Sequence, residues 1–219
     1  MSAAAPVIGL AGNPNTGKST VFNHLTGGRQ RVGNWPGKTV DRAEGVYRRG
    51  GREVQVIDLP GAYSLMPSTL EEAVARDALL SDPPDAVAVV ADATNLERNL
   101  YLVAQVLETG MPAVLALNMM DVAPRRGLTI DVPALAAALG VTVVPVTARD
   151  GIGLDGLVDA ALAAPDRPGG PPAIDYGPAL EPHIARLAAE VAPLAPPARS
   201  TRWIAVQLRA GDESLAGLL

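Results

Sequence analysis

The sequence predicts an α/β fold, a mostly parallel sheet of about six strands with helices on both faces. Two observations predict the architecture. Short continuous apolar runs at 7–11, 86–91 and 113–117 are separated by stretches of helical character. Each run also ends in a turn rich in Gly, Pro or Asn. A third sets the filling of the core: 48% of the 219 residues are hydrophobic but only 3% are aromatic, so the core is aliphatic.

The elements follow in order. Residues 7–11 (VIGLA) read as a buried strand, 12–17 as a loop, and Lys18–Leu25 as a helix. Residues 27–42 are polar and aperiodic, so a long irregular loop is expected, of a length that usually serves function. Residues 43–49 and 52–58 form two strands turning at Gly50-Gly51. A helix near 69–80 is stopped by Asp82-Pro83-Pro84. The strand 86–91 precedes a helix from Leu96 to Glu108, and the strand 113–117 ends at Asn118. Pro133–Leu139 is helical, 141–146 is a strand that Pro145 confines to an edge or an irregularity, and 153–163 is a helix. These make a first domain over 1–165, a Pro/Gly linker at 166–172, and a partial helical unit at 173–219 with helices near 180–192 and 199–218.

Charge and composition exclude several classes. The formal net charge of -5 argues against a broad nucleic-acid surface, although a small phosphate pocket made of backbone N–H groups is compatible with it. There is no cysteine, hence no disulfide, thiolate metal site or cysteine nucleophile. No apolar stretch is long enough to span a bilayer and no signal peptide is recognisable, so a soluble, cytoplasmic chain is expected.

Gly12-Asn13-Pro14-Asn15-Thr16-Gly17-Lys18-Ser19 fits G-x-x-x-x-G-K-[ST] between a predicted strand and a predicted helix. Such a loop, from Gly12 through Thr20, wraps phosphates in the backbone N–H groups of its residues other than Pro14. Lys18 reaches the β/γ-phosphates and the Ser19 hydroxyl ligates Mg²⁺. Asp58-Leu59-Pro60-Gly61 ends a strand some forty residues on. There Asp58 faces Mg²⁺ through water, and Gly61 offers its N–H to a γ-phosphate. Thr39, in the long loop, could close over both by hydroxyl and carbonyl; Thr16 and Thr26 compete for that role by composition alone. Asn118-Met119-Met120-Asp121 sits past a buried strand. The Asp121 carboxylate can accept two N–H bonds from guanine, which adenine cannot supply. Asn118 braces the loop or contacts the base. Thr147-Ala148-Arg149 ends the next strand, and the Ala148 N–H could meet the guanine O6.

The segments GNPNTGKST, QRVGNWPGKT, DLPGAYSL, NLERNLYL and NMMD together resemble the cytosolic GTPase domain of the bacterial ferrous iron transport protein B family over about residues 6–163. The stretches Arg29–Thr39 and Asp92–Leu102 separate that family from other GTPases. The resemblance implies a P-loop GTPase (Ras-like) fold and slow turnover of GTP to GDP. It also implies K⁺ stimulation, with Asn15 as a ligand beside the phosphates and the carbonyls of Gly33 and Trp35 completing the cation site. Asn15, Lys18, Thr39 and Gly61 are then the catalytic set. Arg202-Trp203-Ile204-Ala205 followed by Gly211-Asp212 is similar to the start of the family's helical domain, which links to a membrane permease domain absent from this chain. The partners implied are guanine nucleotide, that permease domain at the cytoplasmic face of the bacterial inner membrane, and small accessory iron-transport proteins. No nucleic acid is expected.

Two departures from a generic GTPase stand out. Ala62 and Tyr63 follow Gly61, so no glutamine is present to orient water. Lys38 precedes Thr39 where the family carries Val or Ile; it either faces water or brings an ammonium toward the phosphates. The alternatives are a soluble ribosome- or tRNA-associated GTPase and a non-hydrolysing guanine-nucleotide sensor. His24 and His183 read as core or surface residues, Trp203 as core, and Arg29, Arg31 and Arg42 as a solvated loop face. Glu71, Glu72 and Asp77 read as scattered on a surface helix, and no set of residues suggests an Fe²⁺ site.

Overall fold

The computed structural model describes residues 5–166, 173–195, 200–212 and 214–215. Most of the expected linker (167–172) and the end of the expected final helix (216–218) lie outside the described residues. The first half of the chain runs β1 (Val7–Gly12), α1 (Lys18–Thr26), β2 (Gln30–Asn34), β3 (Asp41–Arg49), β4 (Arg52–Asp58) and α2 (Leu70–Ser81). Then follow β5 (Ala86–Asp92), α3 (Leu96–Glu108), β6 (Ala113–Asn118), α4 (Val132–Leu139), β7 (Thr142–Pro145) and α5 (Leu154–Ala163). Two further helices, α6 (Glu181–Val191) and α7 (Thr201–Arg209), complete the described chain.

Among the described residues the strands form one seven-stranded sheet in the order β2-β3-β4-β1-β5-β6-β7. The five strands from β4 to β7 in that order are parallel, and β3 and β2 pair antiparallel at one end. Pro145 accordingly lies on an edge strand, where its missing N–H breaks no ladder.

The seventh strand, β2, corrects the expectation of an irregular loop over 27–42. All five of its residues are exposed, so no apolar alternation marks it in the sequence. Backbone pairing with β3, Gln30 opposite Gly45 through Asn34 opposite Asp41, is what makes it a strand. Edge pairing of this kind needs no buried face.

The central strands alternate faithfully. Val87, Val89 and Ala91 of β5 point into the cluster under α2 and α3. Ala86, Ala88 and Val90 point into the cluster under α1 and α5. Both faces are covered, which is why these strands read as unbroken apolar runs.

The C-terminal helices dock on the α2–α3 face. Val191, Trp203, Ile204 and Leu215 belong to the same apolar cluster as Val74, Leu79 and Val103. Trp203 is 1% exposed, a core residue as expected. Ser200 caps α7 by accepting the Trp203 N–H. The final helix is shorter than 199–218 because Gly211 adopts φ 95 and the chain turns there.

A polar cluster fastens this unit. Arg202 donates to both carboxylate oxygens of Glu181 at 2.7 Å and to the Ile174 carbonyl at 2.6 Å. Tyr176 donates its hydroxyl to Glu108 at 2.9 Å. Hydrogen bonding from Arg202, foremost, pulls Glu181 down to about 2. Burial, against the Tyr176 hydrogen bond, pushes Glu108 up. The signs are opposite. The depressed Glu181 contributes stability above the ordinary carboxylate value of 4.5 and loses it as the pH falls toward about 2. Glu108 contributes fully below 4.5 and loses that contribution as the pH rises through its raised folded value. Glu181→Gln is therefore expected to flatten the loss of stability on acidification below pH 4.5, measured by urea unfolding. Equal slopes in the two proteins would show that the pair does not persist in solution.

Candidate functional site

The C-terminal ends of the parallel strands form one edge. Leu10 of β1 is in register with Asp58 of β4, and Asp92 of β5 with Asn118 of β6. The loops that follow these strands therefore lie side by side, the position at which open α/β sheets bind ligands.

Residues 13–17 curl between β1 and α1. Asn15 is left-handed at φ 67, a conformation asparagine tolerates better than most residues. Gly17 caps α1 at φ 86, and a Cβ there would meet Asn118 Nδ2 at 2.3 Å. Two separate constraints thus demand glycine at this position. Thr16 turns inward, donating N–H and hydroxyl to the Asn13 carbonyl. This hydroxyl is committed to the loop itself. Thr26 is likewise committed, donating to the Phe22 carbonyl within its own helix. Asn13 is buried, and its Nδ2 has no partner among the described residues.

Lys18 and Asp58 meet at 2.5 Å, a largely buried ion pair joining α1 to the end of β4. Ser19 and Thr20 are exposed beside it on the first turn of α1. The chain after Asp58 is held closely. Leu59 N–H bonds to Leu10 O, and Ala62 N–H to Gly12 O. Tyr63 N–H and Ser68 N–H donate to Glu72, and Leu65 N–H to Gln105. The Gly61 N–H has no partner among the described residues. A Cβ on Gly61 would sit 3.3 Å from Pro14 Cγ, so this turn packs directly on the loop that precedes Lys18.

Three residues of this region were not legible as site residues. Glu72 corrects the surface-helix reading: it is buried, and it ties residues 63–68 to α2. Burial works to raise its carboxyl, but the Ser68 and Tyr63 hydrogen bonds outweigh this and hold it below the usual carboxylate range. The Thr-x-x-Glu spacing of Thr69 and Glu72 was its available signal, and Thr69 does cap α2. Gln105 and Arg98 carried no signal, because each acts across the fold. Arg98 lies over the Tyr63 ring at 4.5 Å.

The expected loop containing Thr39 is the tip of the β2–β3 hairpin. Trp35 N–H bonds to Val40 O, and Lys38 N–H to Trp35 O, both at 2.9 Å. Gly33 pairs opposite Arg42 in the ladder. The Trp35 carbonyl is therefore occupied within a turn, and Gly33 belongs to a strand rather than a free loop. Thr39 and Lys38 are exposed at the tip. Arg42 departs from the solvated-face reading: it stacks 4.6 Å over the buried Trp35 ring and pairs with Glu44. Arg29 and Arg31 are exposed as expected.

Beyond β6 the chain makes a second strained turn. Met119 has φ 63, uncommon for a residue with a side chain, and it swings the following residues toward the loop after β7. Asn118 is buried and bridges two loops. Its Nδ2 donates to Thr16 O at 2.8 Å, and its Oδ1 accepts Ala148 N–H at 3.0 Å. Of the two roles left open for Asn118, this geometry is the brace. The amide orientation follows from its partners, one acceptor and one donor. A cavity of about 200 Å³ opens between these loops, lined by Gly17, Thr20, Met119, Asp121, Thr147 and Arg149 among others. Asp121 is partly exposed there and accepts from Arg149 at 3.3 Å. Arg149 is kept charged foremost by Asp150, then by Asp121.

The described residues contain no cluster of His, Asp or Glu suited to holding a metal on its own. No helix among them is long and apolar enough to cross a membrane.

Comparison with known proteins agrees with this geometry. Residues 6–161 match the family model for ferrous iron transport protein B. The chain is 42% identical over 211 residues to the Fe(2+) transporter FeoB of Escherichia coli K12, covering 94% of this chain and 27% of that protein. It therefore spans about a quarter of the length of the curated relatives it matches. Among solved structures, a point mutant of S. thermophilus NFeoB bound to mGDP superposes with a TM-score of 0.92 at 41% identity, covering 99% of this chain and 83% of that one. The cytosolic domain of L. pneumophila FeoB gives 0.89 at 34% identity, covering 97% and 84%. The fold is thus the Ras-like P-loop GTPase fold, and the chain belongs to the ferrous iron transport protein B family.

Proposed function

We propose that this chain binds GTP and hydrolyses it to GDP and phosphate, as the cytosolic regulatory part of a ferrous iron transporter. One observation carries the reading. The loop Gly12–Ser19, the Asp58–Gly61 turn and the Asp121 cavity share one sheet edge, and Asn118 joins the first of them to the loop at Ala148. The GDP and mGDP named for the S. thermophilus relatives support it.

The roles follow from chemistry and position. Backbone N–H groups from Asn15 to Thr20 are the donors for the phosphates, and the buried, unpartnered Asn13 Nδ2 is a further donor in that loop. Lys18 exchanges the Asp58 carboxylate for β/γ-phosphate oxygens. Asp58 is thereby released toward the Ser19 hydroxyl, and these two with Thr39 form an all-oxygen set of the hard kind that suits Mg²⁺. Asn15 and the carbonyls of Gly33 and Trp35 would hold K⁺, the Trp35 oxygen keeping a second lone pair beside the one that Lys38 N–H engages. Mg²⁺ and K⁺, when bound, neutralise charge on the phosphoryl oxygens. The free Gly61 N–H is directed to the γ-phosphate. Ala62 supplies no side chain to orient water, so intrinsic turnover is slow. Asp121 reads the guanine N–H groups, with Met119, Thr147, Ala148 and Arg149 enclosing the base.

Thr39 sits exposed at the tip of a closed hairpin, so its approach to the phosphates requires that tip to refold. We read this as the two-state element of the cycle. Residues 173–219 would pass its state to a permease domain, with residues 1–165 as the catalytic unit.

The test is GTP hydrolysis by the purified chain with Mg²⁺ in matched KCl and NaCl, with ATP as control. Faster GTP turnover in KCl and none with ATP is the expected result. Equal turnover in both salts would remove the cation role of Asn15. GTP binding without turnover would leave a nucleotide sensor.

A further inference from the structure

The helix that begins at the phosphate loop also touches the base loop at its other end. His24 lies six residues beyond Lys18 on α1, and its Nε2 is 3.2 Å from the Arg149 carbonyl oxygen. That oxygen can only accept, so Nε2 carries the proton. The ring also lies against the following turn. A Cβ on Gly151 would sit 3.3 Å from His24 Nδ1, and Gly151 is left-handed at φ 71. A side chain at position 151 would therefore crowd the ring.

Arg149 is the residue through which this contact reaches the ligand. Its guanidinium pairs with Asp121, the carboxylate that reads guanine, and its neighbour Ala148 donates N–H to Asn118. Of the carbonyls of Thr147, Ala148 and Arg149, those of Thr147 and Ala148 receive backbone bonds from the described residues, from Asp150, Ile152 and Gly151. The Arg149 carbonyl would otherwise face water.

We propose that His24 is a positioning residue for guanine nucleotide: its Nε2–H latches the Ala148–Gly151 loop onto α1, and loss of this latch speeds GDP release. The inference rests on the guanine-binding reading of the Asp121 cavity. It adds a physical link from the phosphate end of the site to the base end, because one rigid helix carries Lys18 and Ser19 at its start and the latch six residues later. The latch thus adds a surface hydrogen bond on the far side of the loop from the buried Asn118 brace, which holds the same loop through Ala148 N–H.

Stopped-flow release of fluorescently labelled GDP from the full chain tests this, in wild type and in His24→Ala, His24→Phe and His24→Gln. A hydrogen bond of ordinary net strength corresponds to a rate change of about fivefold. His24→Ala and His24→Phe are each expected to release GDP about fivefold faster, because neither can donate. His24→Gln places an amide N–H near the same carbonyl and is expected to stay within about twofold of wild type. Phe fills the space of the ring, so slow release from His24→Phe would show that packing alone matters and would overturn the latch. Unchanged release from His24→Ala, or release from His24→Gln as fast as from His24→Ala, would overturn it too. Failure of the wild-type chain to bind labelled GDP would instead overturn the functional reading on which the latch depends.

Discussion

Asp121→Asn is expected to exchange guanine for xanthine as the preferred base. The Asp121 carboxylate has two acceptor oxygens and no donor, matching the N1–H and N2–H₂ donors of guanine. An asparagine keeps one acceptor and gains an N–H₂ donor, which faces the guanine amine. Xanthine carries a carbonyl in place of that amine and accepts from it. Sites built around such hydrogen bonds reject a mismatched partner by roughly 10⁴-fold, so a loss of at least about 100-fold in GDP affinity is expected even for this partly exposed carboxylate. XDP binding should rise over the same substitution. Isothermal titration with GDP and XDP reads both. A variant that binds neither base would point to collapse of the loop, and one that still prefers GDP would remove Asp121 from the base site. Arg149 pairs with Asp121 at 3.3 Å and is expected to move with it.

Arg76→Ala is expected to lower stability sharply although it lies outside the nucleotide site. Arg76 lies on α2, the helix after the Gly61 turn, and Asp212 follows α7. Their side chains are each 5% exposed and meet at 2.7 Å. Arg76 also donates to Ser214 Oγ at 2.7 Å and to Asp77 at 2.8 Å. Truncating the arginine leaves a buried carboxylate still hydrogen-bonded to Ser214 but without its paired cation. Breaking one partner of such a pair costs about 3 kcal/mol or more. For a chain of 219 residues this corresponds to a fall in Tm of roughly 10 °C. Arg76→Met with Asp212→Leu removes both charges together and is expected to recover most of that loss. Calorimetry of the two variants decides it. A single variant melting within about 1 °C of wild type would show the pair to be solvated and open. The consequence reaches function, because this pair is the charged contact that fixes α2, and so the Gly61 turn above it, to the C-terminal unit.

Most of the fold was legible because its elements announce themselves locally. The strands 86–91 and 113–117 are buried on both faces and read as unbroken apolar runs. Helix boundaries at Lys18 and Leu96 were met to the residue; Gly17 stands before the first and Asn95 before the second. The strand β2 was missed for the converse reason. Its residues are exposed on both faces, and only the partner strand, from Asp41 opposite Asn34 to Gly45 opposite Gln30, gives it order.

The nucleotide site divides the same way. Gly12–Ser19, Asp58–Gly61 and Asn118–Asp121 carry their chemistry in contiguous residues, and the local backbone that holds them follows from glycine, proline and asparagine at set positions. Gln105, Arg98 and His24 act on loops distant in sequence, so their residue types alone implied nothing, and for Glu72 the spacing from Thr69 marked a helix start but not the loop it ties. Likewise no spacing rule could show that Asn118 would join Thr16 to Ala148, 102 residues before it and 30 after. By itself the sequence determined which loops are proposed to bind phosphate and guanine, because that chemistry resides in short runs of backbone and side chain. Only the tertiary structure decided which residues touch across those loops: Trp35 with Val40 at the hairpin tip, His24 with Arg149 beside the base loop, and Arg76 with Asp212 between α2 and the C-terminal unit. Hydrogen bonds and buried ion pairs between distant segments exist only once the sheet has brought their partners within 3 Å or so.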